Sequence, residues 1–117
     1  MGLGLVVHER EREVPMFKHG DCEGIITVHL MLEVGKWIYM NVSITAKIRQ
    51  KNEEEERSIE LDRKDLSLEV RDQDSLTKYK QELSEAIEAM KNVLYDYQNR
   101  MLKGIEFIDS YILRQDI

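Results

Sequence analysis

The stretch SLTKYKQELSEAIEAMKNVLYDYQNRMLKGIEFIDSYIL, residues 75–113, decides how the chain is read. Its apolar side chains stand at Leu76, Tyr79, Leu83, Ile87, Met90, Leu94, Tyr97, Met101, Ile105, Ile108 and Ile112, in steps of three and four. That spacing lines one face of an α-helix, and no proline interrupts it. A straight helix of this length extends roughly 58 Å at 1.5 Å per residue. A compact chain of 117 residues has a radius of gyration of only about 13 Å. The helix is therefore expected either to bend, with Gly104 as the hinge, or to lay its far end against another subunit.

Within residues 83–101 the steps alternate four and three. Ile87, Leu94 and Met101 occupy one seam position of a heptad and Leu83, Met90 and Tyr97 the other. At Gly104 the phase slips by one residue, and Ile105, Phe107, Ile108, Tyr111, Ile112, Leu113 and Ile117 then leave little polar face. A helix end that is apolar nearly all round is buried on several sides. Either the tail tucks back on its own sheet, or it pairs with a symmetry mate as a dimer or higher oligomer. Apolar patches of this extent rarely stay open on monomers, which favours association. The candidate oligomer interface is Leu94, Tyr97, Met101, Ile105, Ile108, Tyr111 and Ile112.

Upstream of the helix the period changes to two. Residues 2–8 suggest a short strand weakened by glycine, and the run Glu9-Arg10-Glu11-Arg12-Glu13 a solvated connector or edge strand ended by Pro15. Residues 18–24, with two glycines and Asp21, read as a loop. Residues 25–34 predict a strand with Ile26, Val28, Leu30, Leu32 and Val34 on one side and Ile25, Thr27, His29, Met31 and Glu33 on the other. Gly35-Lys36 marks a tight hairpin.

The cleanest alternation covers residues 37–49. Ile38, Met40, Val42, Ile44, Ala46 and Ile48 point to the core, and Trp37, Tyr39, Asn41, Ser43, Thr45, Lys47 and Arg49 point away. A slip of one residue would bury Asn41, Lys47 and Arg49, so the register is strongly specified. Residues 50–56 form a polar loop containing Glu53 to Glu56, residues 57–62 a strand with Ile59 and Leu61 inward, residues 63–65 a turn, and Leu66, Leu68 and Val70 a short last strand. Asp74 is the expected N-cap of the helix. The fold class is α+β: an antiparallel β-meander of three to five strands followed by one long C-terminal helix, broken or unbroken near Gly104. Residues 1–117 are read as a single domain, with the sheet in 1–72 and the helical region in 73–117.

Composition narrows the function classes. A net charge of −6 disfavours a general affinity for phosphate backbones and anionic membranes, and no apolar run or signal-like leader marks a membrane protein. The single cysteine, Cys22, excludes an internal disulfide and suits a reducing compartment, so the expected location is cytoplasmic, or host cytoplasmic for a virus-encoded chain. His19, Asp21, Cys22 and Glu23 include three metal-ligand types, but His8 and His29 lie at no diagnostic interval and no four-ligand zinc pattern forms. Cys22 lacks a base and oxyanion hole in the pattern, and no glycine-rich phosphate loop is present. None of the 23 acidic residues stands in an apolar context that would mark a general acid. No catalytic residue, metal site or cofactor is therefore expected. The chain reads as no enzyme.

The candidate binding face is the outer side of residues 37–49, where Trp37, Tyr39, Asn41, Lys47 and Arg49 combine aromatics with cations. Such a surface stacks the bases of single-stranded nucleic acid and suits a nucleotide-like ligand equally. In element order the chain resembles, in outline, the PC4-like single-stranded-DNA-binding fold, with Trp37, Tyr39, Lys47 and Arg49 as the matching residues. The acidic charge and the Glu53–Glu56 run depart from what such a protein needs. The leading reading is a non-enzymatic homo-oligomer that occupies a protein partner or sequesters a small ligand, such as small viral or phage accessory inhibitors. Single-strand nucleic-acid binding through the Trp37 face is the alternative.

Overall fold

Strict apolar–polar alternation makes Ile38–Lys51 the organising strand of the sheet, and the computed structural model, which describes residues 4–114, places it second from one edge. Four strands run in meander order: β1 (Leu5–His19), β2 (Cys22–Val34), β3 (Ile38–Lys51) and β4 (Glu56–Val70), each antiparallel to the next. A long helix, α1 (Gln73–Phe107), follows and passes into one π-helical turn (Ile108–Ile112). The antiparallel meander followed by one long C-terminal helix is the architecture anticipated above. Gly2 and Leu3, read as the start of the first strand, and Ile117, read as part of the tail, lie outside the described residues.

The β2–β3 register places Ile26 opposite Ala46, Val28 opposite Ile44 and Leu30 opposite Val42, so the apolar rows of both strands share one face. On that face Ala86, Met90 and Leu94 of α1 close the core over Val42, Ile44, Ala46 and Ile48. Leu94, Ile44 and Ala46 are each 0% exposed. The heptad seam of the helix is thus spent mainly within the chain, with Ala86 and Val93 widening it to the broad stripe that a sheet requires.

Several boundaries differ from the sequence reading, each for a local reason. β1 is one strand of 15 residues that runs through Pro15, because an edge position tolerates a residue that cannot donate, and bulges fall beside it and between Val6 and His8. The expected 18–24 loop shrinks to Gly20-Asp21, with Gly20 at φ 59°. Gly24 belongs to β2, where a Cβ would stand 2.2 Å from the Phe17 ring that packs on it. The expected turn at residues 63–65 is continuous strand, since a single bulge at Leu61 absorbs the irregularity in β4. Trp37 lies in the β2–β3 turn rather than in the strand.

The N-cap is Asp72, not Asp74. Its carboxylate accepts from Ser75 N at 2.8 Å while Ser75 Oγ accepts from Asp72 N at 3.2 Å, a reciprocal cap that leaves Asp74 inside the first turn. The α-helix also runs through Gly104 without a break. A glycine there weakens a helix by only about 1 kcal/mol, and its neighbours are strong helix formers.

The expected radius of gyration of about 13 Å for a compact chain is exceeded as well. The molecule measures 71 × 32 × 19 Å with a radius of gyration of 19.3 Å. Strands of 13 to 15 residues reach roughly 43–50 Å at 3.3 Å per residue, so a straight helix finds a sheet nearly as long as itself.

Leu94→Ala is expected to lower the unfolding free energy by about 2–5 kcal/mol in urea titration, because the cavity lies at the centre of the core. Gly104→Ala, at a helical position with nothing within 4 Å of the added carbon, is expected to raise it by about 0.5–1 kcal/mol. A loss of stability in the second variant would show that α1 is not regular there.

Candidate functional site

The run Glu9-Arg10-Glu11-Arg12-Glu13 becomes informative once it is a strand. With side chains alternating, its acids and bases separate by sign onto opposite faces. Glu9, Glu11 and Glu13 share the outer face with Met31, His29 and Thr27, whereas Arg10 and Arg12 share the helix face with Leu30 and Val28.

The outer face is a network of closed ion pairs. Glu13 in β1 reaches across β2 to Arg49 in β3 at 3.0 Å and to Lys47 at 3.4 Å. Arg49 also meets Glu23 at 3.0 Å and Glu56 at 3.7 Å. These pairs bridge the β2 row that holds Ile25 and Thr27, which explains why those residues are 1% and 9% exposed on a face that carries no helix. Hydrogen bonding to Arg49 holds the Glu13 carboxyl below its usual range, and hydrogen bonds to Glu23 and Glu13 hold the Arg49 guanidinium charged still more firmly. Farther along, Ser43 donates to Asp65 at 2.6 Å, which also pairs with Arg63, and together they lower the Asp65 pKa. Ser67 donates to Asn41 at 2.9 Å.

Of the predicted binding residues, Tyr39, Asn41, Lys47 and Arg49 do share this outer face, and Trp37 stands at its end in the turn. The cations are already matched: Lys47 and Arg49 face three carboxylates between them. One side of the Trp37 indole is taken by the Arg71 guanidinium, 4.8 Å from the ring centroid, which is itself paired with Glu69.

A surface that sequence reading did not single out lies on the opposite face. α1 packs chiefly on β4 and β3 and only marginally on β1, so the apolar rows of β1 and β2 stay partly uncovered. They form an open groove of about 400 Å³ floored by Val14, Met16, Ile26, Val28 and Leu30, with Ile87 as one wall. Arg10, Arg12 and Lys91 rim it, and among the described residues none of the three is in an ion pair. The charge alternation of residues 9–13 was the available signal, legible only by reading them as strand.

The predicted oligomer residues divide. Leu94 is sealed inside the core and is not free for a partner, while Tyr97 packs against the core and stays half-buried. Met101 and Ile105 are half-buried. Beyond them Leu102, Phe107, Ile108, Tyr111, Ile112 and Leu113 are exposed, with Leu113 at 68% and the Phe107 and Tyr111 rings stacked at 5.4 Å. At the other end of the molecule Leu5, Val6, Val7, Val34, Trp37 and Ile38 form a second exposed apolar set.

Cys22 pairs with His19 across the first hairpin and with Gln50 of β3 as an ordinary strand residue. Among the described residues no group of three or more His, Cys, Asp or Glu side chains is placed to hold a metal ion, and no helix is long and apolar enough to cross a membrane. No family model, curated protein or solved structure matches this chain, so the outline likeness to the PC4-like fold rests on element order alone.

Glu13, with a pKa below its unfolded value, adds stability that is complete above the ordinary glutamate range and is lost as pH falls through the folded value. Glu13→Gln is therefore expected to flatten the loss of stability on acidification below that range, read as urea midpoints against pH. An unchanged acid limb would remove the bridge over β2 from the account.

Proposed function

We propose that this chain is a non-enzymatic, homo-oligomeric binding protein that self-associates through its helical tail and occupies a protein partner with the surface that remains. The carrying observation is the tail. Phe107, Ile108, Tyr111, Ile112 and Leu113 are all exposed on one projecting element, and such patches are characteristic of interaction sites.

The sheet edges argue for the same surface by elimination. β1 carries Glu9 to Glu13, Pro15 and two bulges, while β4 carries a charged stretch at 62–65 and the Leu61 bulge, all features that oppose edge-to-edge pairing. With the tails engaged, the apolar end at Val6, Val34, Trp37 and Ile38 is left to meet a partner. A small apolar ligand held at the subunit boundary fits the same arrangement. A reducing, cytoplasmic setting suits the half-buried free thiol of Cys22.

Single-stranded nucleic-acid binding through the Trp37 face ranks second. It needs cations able to release counterions, whereas Lys47 and Arg49 already sit on Glu13, Glu23 and Glu56. Titration with a labelled oligonucleotide at low salt, followed by Trp37 emission, separates the two readings. Quenching that fades with salt would promote the nucleic-acid reading.

Sedimentation of the wild-type chain is expected to show a dimer or larger species. Ile108→Glu combined with Tyr111→Glu is expected to reduce it to the protomer, with the core intact by circular dichroism. A wild-type protomer at micromolar concentration would overturn the proposal.

A further inference from the structure

We infer that the groove between α1 and the β1–β2 half of the sheet is the seat for the helical tail of a second copy of this chain. The inference rests on the self-association proposed above and names the surface that receives it.

The two surfaces are complementary in both polarity and charge. The groove is apolar along its floor and bears Arg10, Arg12 and Lys91 on its rim. The tail presents Ile105, Ile108 and Ile112 on one helical face, with Glu106 and Asp109 beside it. The acids and bases concerned form no ion pair within the protomer among the described residues. Glu106 and Asp109, the charged residues within 105–113, suit that rim, with Lys103 and Arg114 flanking the segment on either side.

Phase along the helix supplies the geometry. Ile105, Ile108 and Ile112 follow Met101 in steps of four, three and four, so across the slip at Gly104 and the π turn they extend the apolar side of α1 beyond its own core. That stripe outlasts its own core and needs another half-covered sheet. β1 and β2 of a second copy provide one. The arrangement is reciprocal, each tail seated beside the other copy's α1 near Ile87 and Lys91, as a two-fold dimer requires.

Charge exchange tests this. Arg10→Glu with Arg12→Glu, and separately Glu106→Arg with Asp109→Arg, should each raise the dimer dissociation constant at least about tenfold in sedimentation equilibrium. All four substitutions in one chain should return it to within about threefold of wild type. Arg10, Arg12, Glu106 and Asp109 are exposed, so melting curves of the variants at low concentration serve as the folding control. A wild-type dimer unmoved by Arg10→Glu with Arg12→Glu overturns the groove as the seat while leaving tail association standing. A fourfold variant weaker than either double variant overturns it too. A monomeric wild-type chain overturns both proposals. If that monomer is stabilised by dodecanoate, and less so after Arg10→Glu with Arg12→Glu, the groove's occupant is a small anionic amphiphile instead.

Discussion

The packing of Ala86, Met90 and Leu94 on Val42, Ile44, Ala46 and Ile48 is the contact from which the other features of the molecule follow. One helix is about 10 Å wide, and four strands at 4.7–4.9 Å span nearly twice that. A single helix cannot cover such a sheet. Because α1 leaves β4 through a short connection capped by Asp72, it begins over β4 and β3 and serves that half best. The remainder of the apolar face, on β1 and β2, is the direct consequence.

The same mismatch operates along the length. Strands near 50 Å carry α1 for most of its course, and the residues beyond Met101 then outrun the core. Leftover apolar surface appears both beside the helix, where Arg10, Arg12 and Lys91 rim it, and past its end, where Glu106 and Asp109 accompany it. A small domain with one helix per four strands ends with such surfaces unless a second molecule supplies the missing layer.

The outer face illustrates how a polar sheet surface is closed without a second layer. Glu13, Lys47 and Arg49 span β2 from both sides, and the bridge covers Ile25 as a helix would. Pairs of this kind contribute little each in water, but here they share carboxylates and guanidinium groups in one network. Their cost is functional. Cations committed to neighbouring carboxylates have little charge left for an anionic ligand, whereas Arg10 and Arg12, one residue away in the same strand, face the opposite side uncommitted.

The order of elements, the faces of residues 25–34 and 37–49, and the existence of one long helix could all be read from the sequence, because period two and period three to four are local signals. Strand ends were not legible at Gly20-Asp21, Pro15 and residues 63–65. There an edge position, a two-residue turn and the Leu61 bulge each depend on a neighbouring strand that local pattern does not display. The tail's apolar excess was visible in Phe107 to Leu113, but Leu94 looked equally available until the core enclosed it. Local pattern left Glu9 to Glu13 open between connector and edge strand; the tertiary structure decided for the strand, and so for two stripes of opposite sign. Only it set the helix over half the sheet. Periodicity states which side of an element is apolar; which neighbour covers that side, and how far, is a property of widths and lengths that arise only when the elements are assembled.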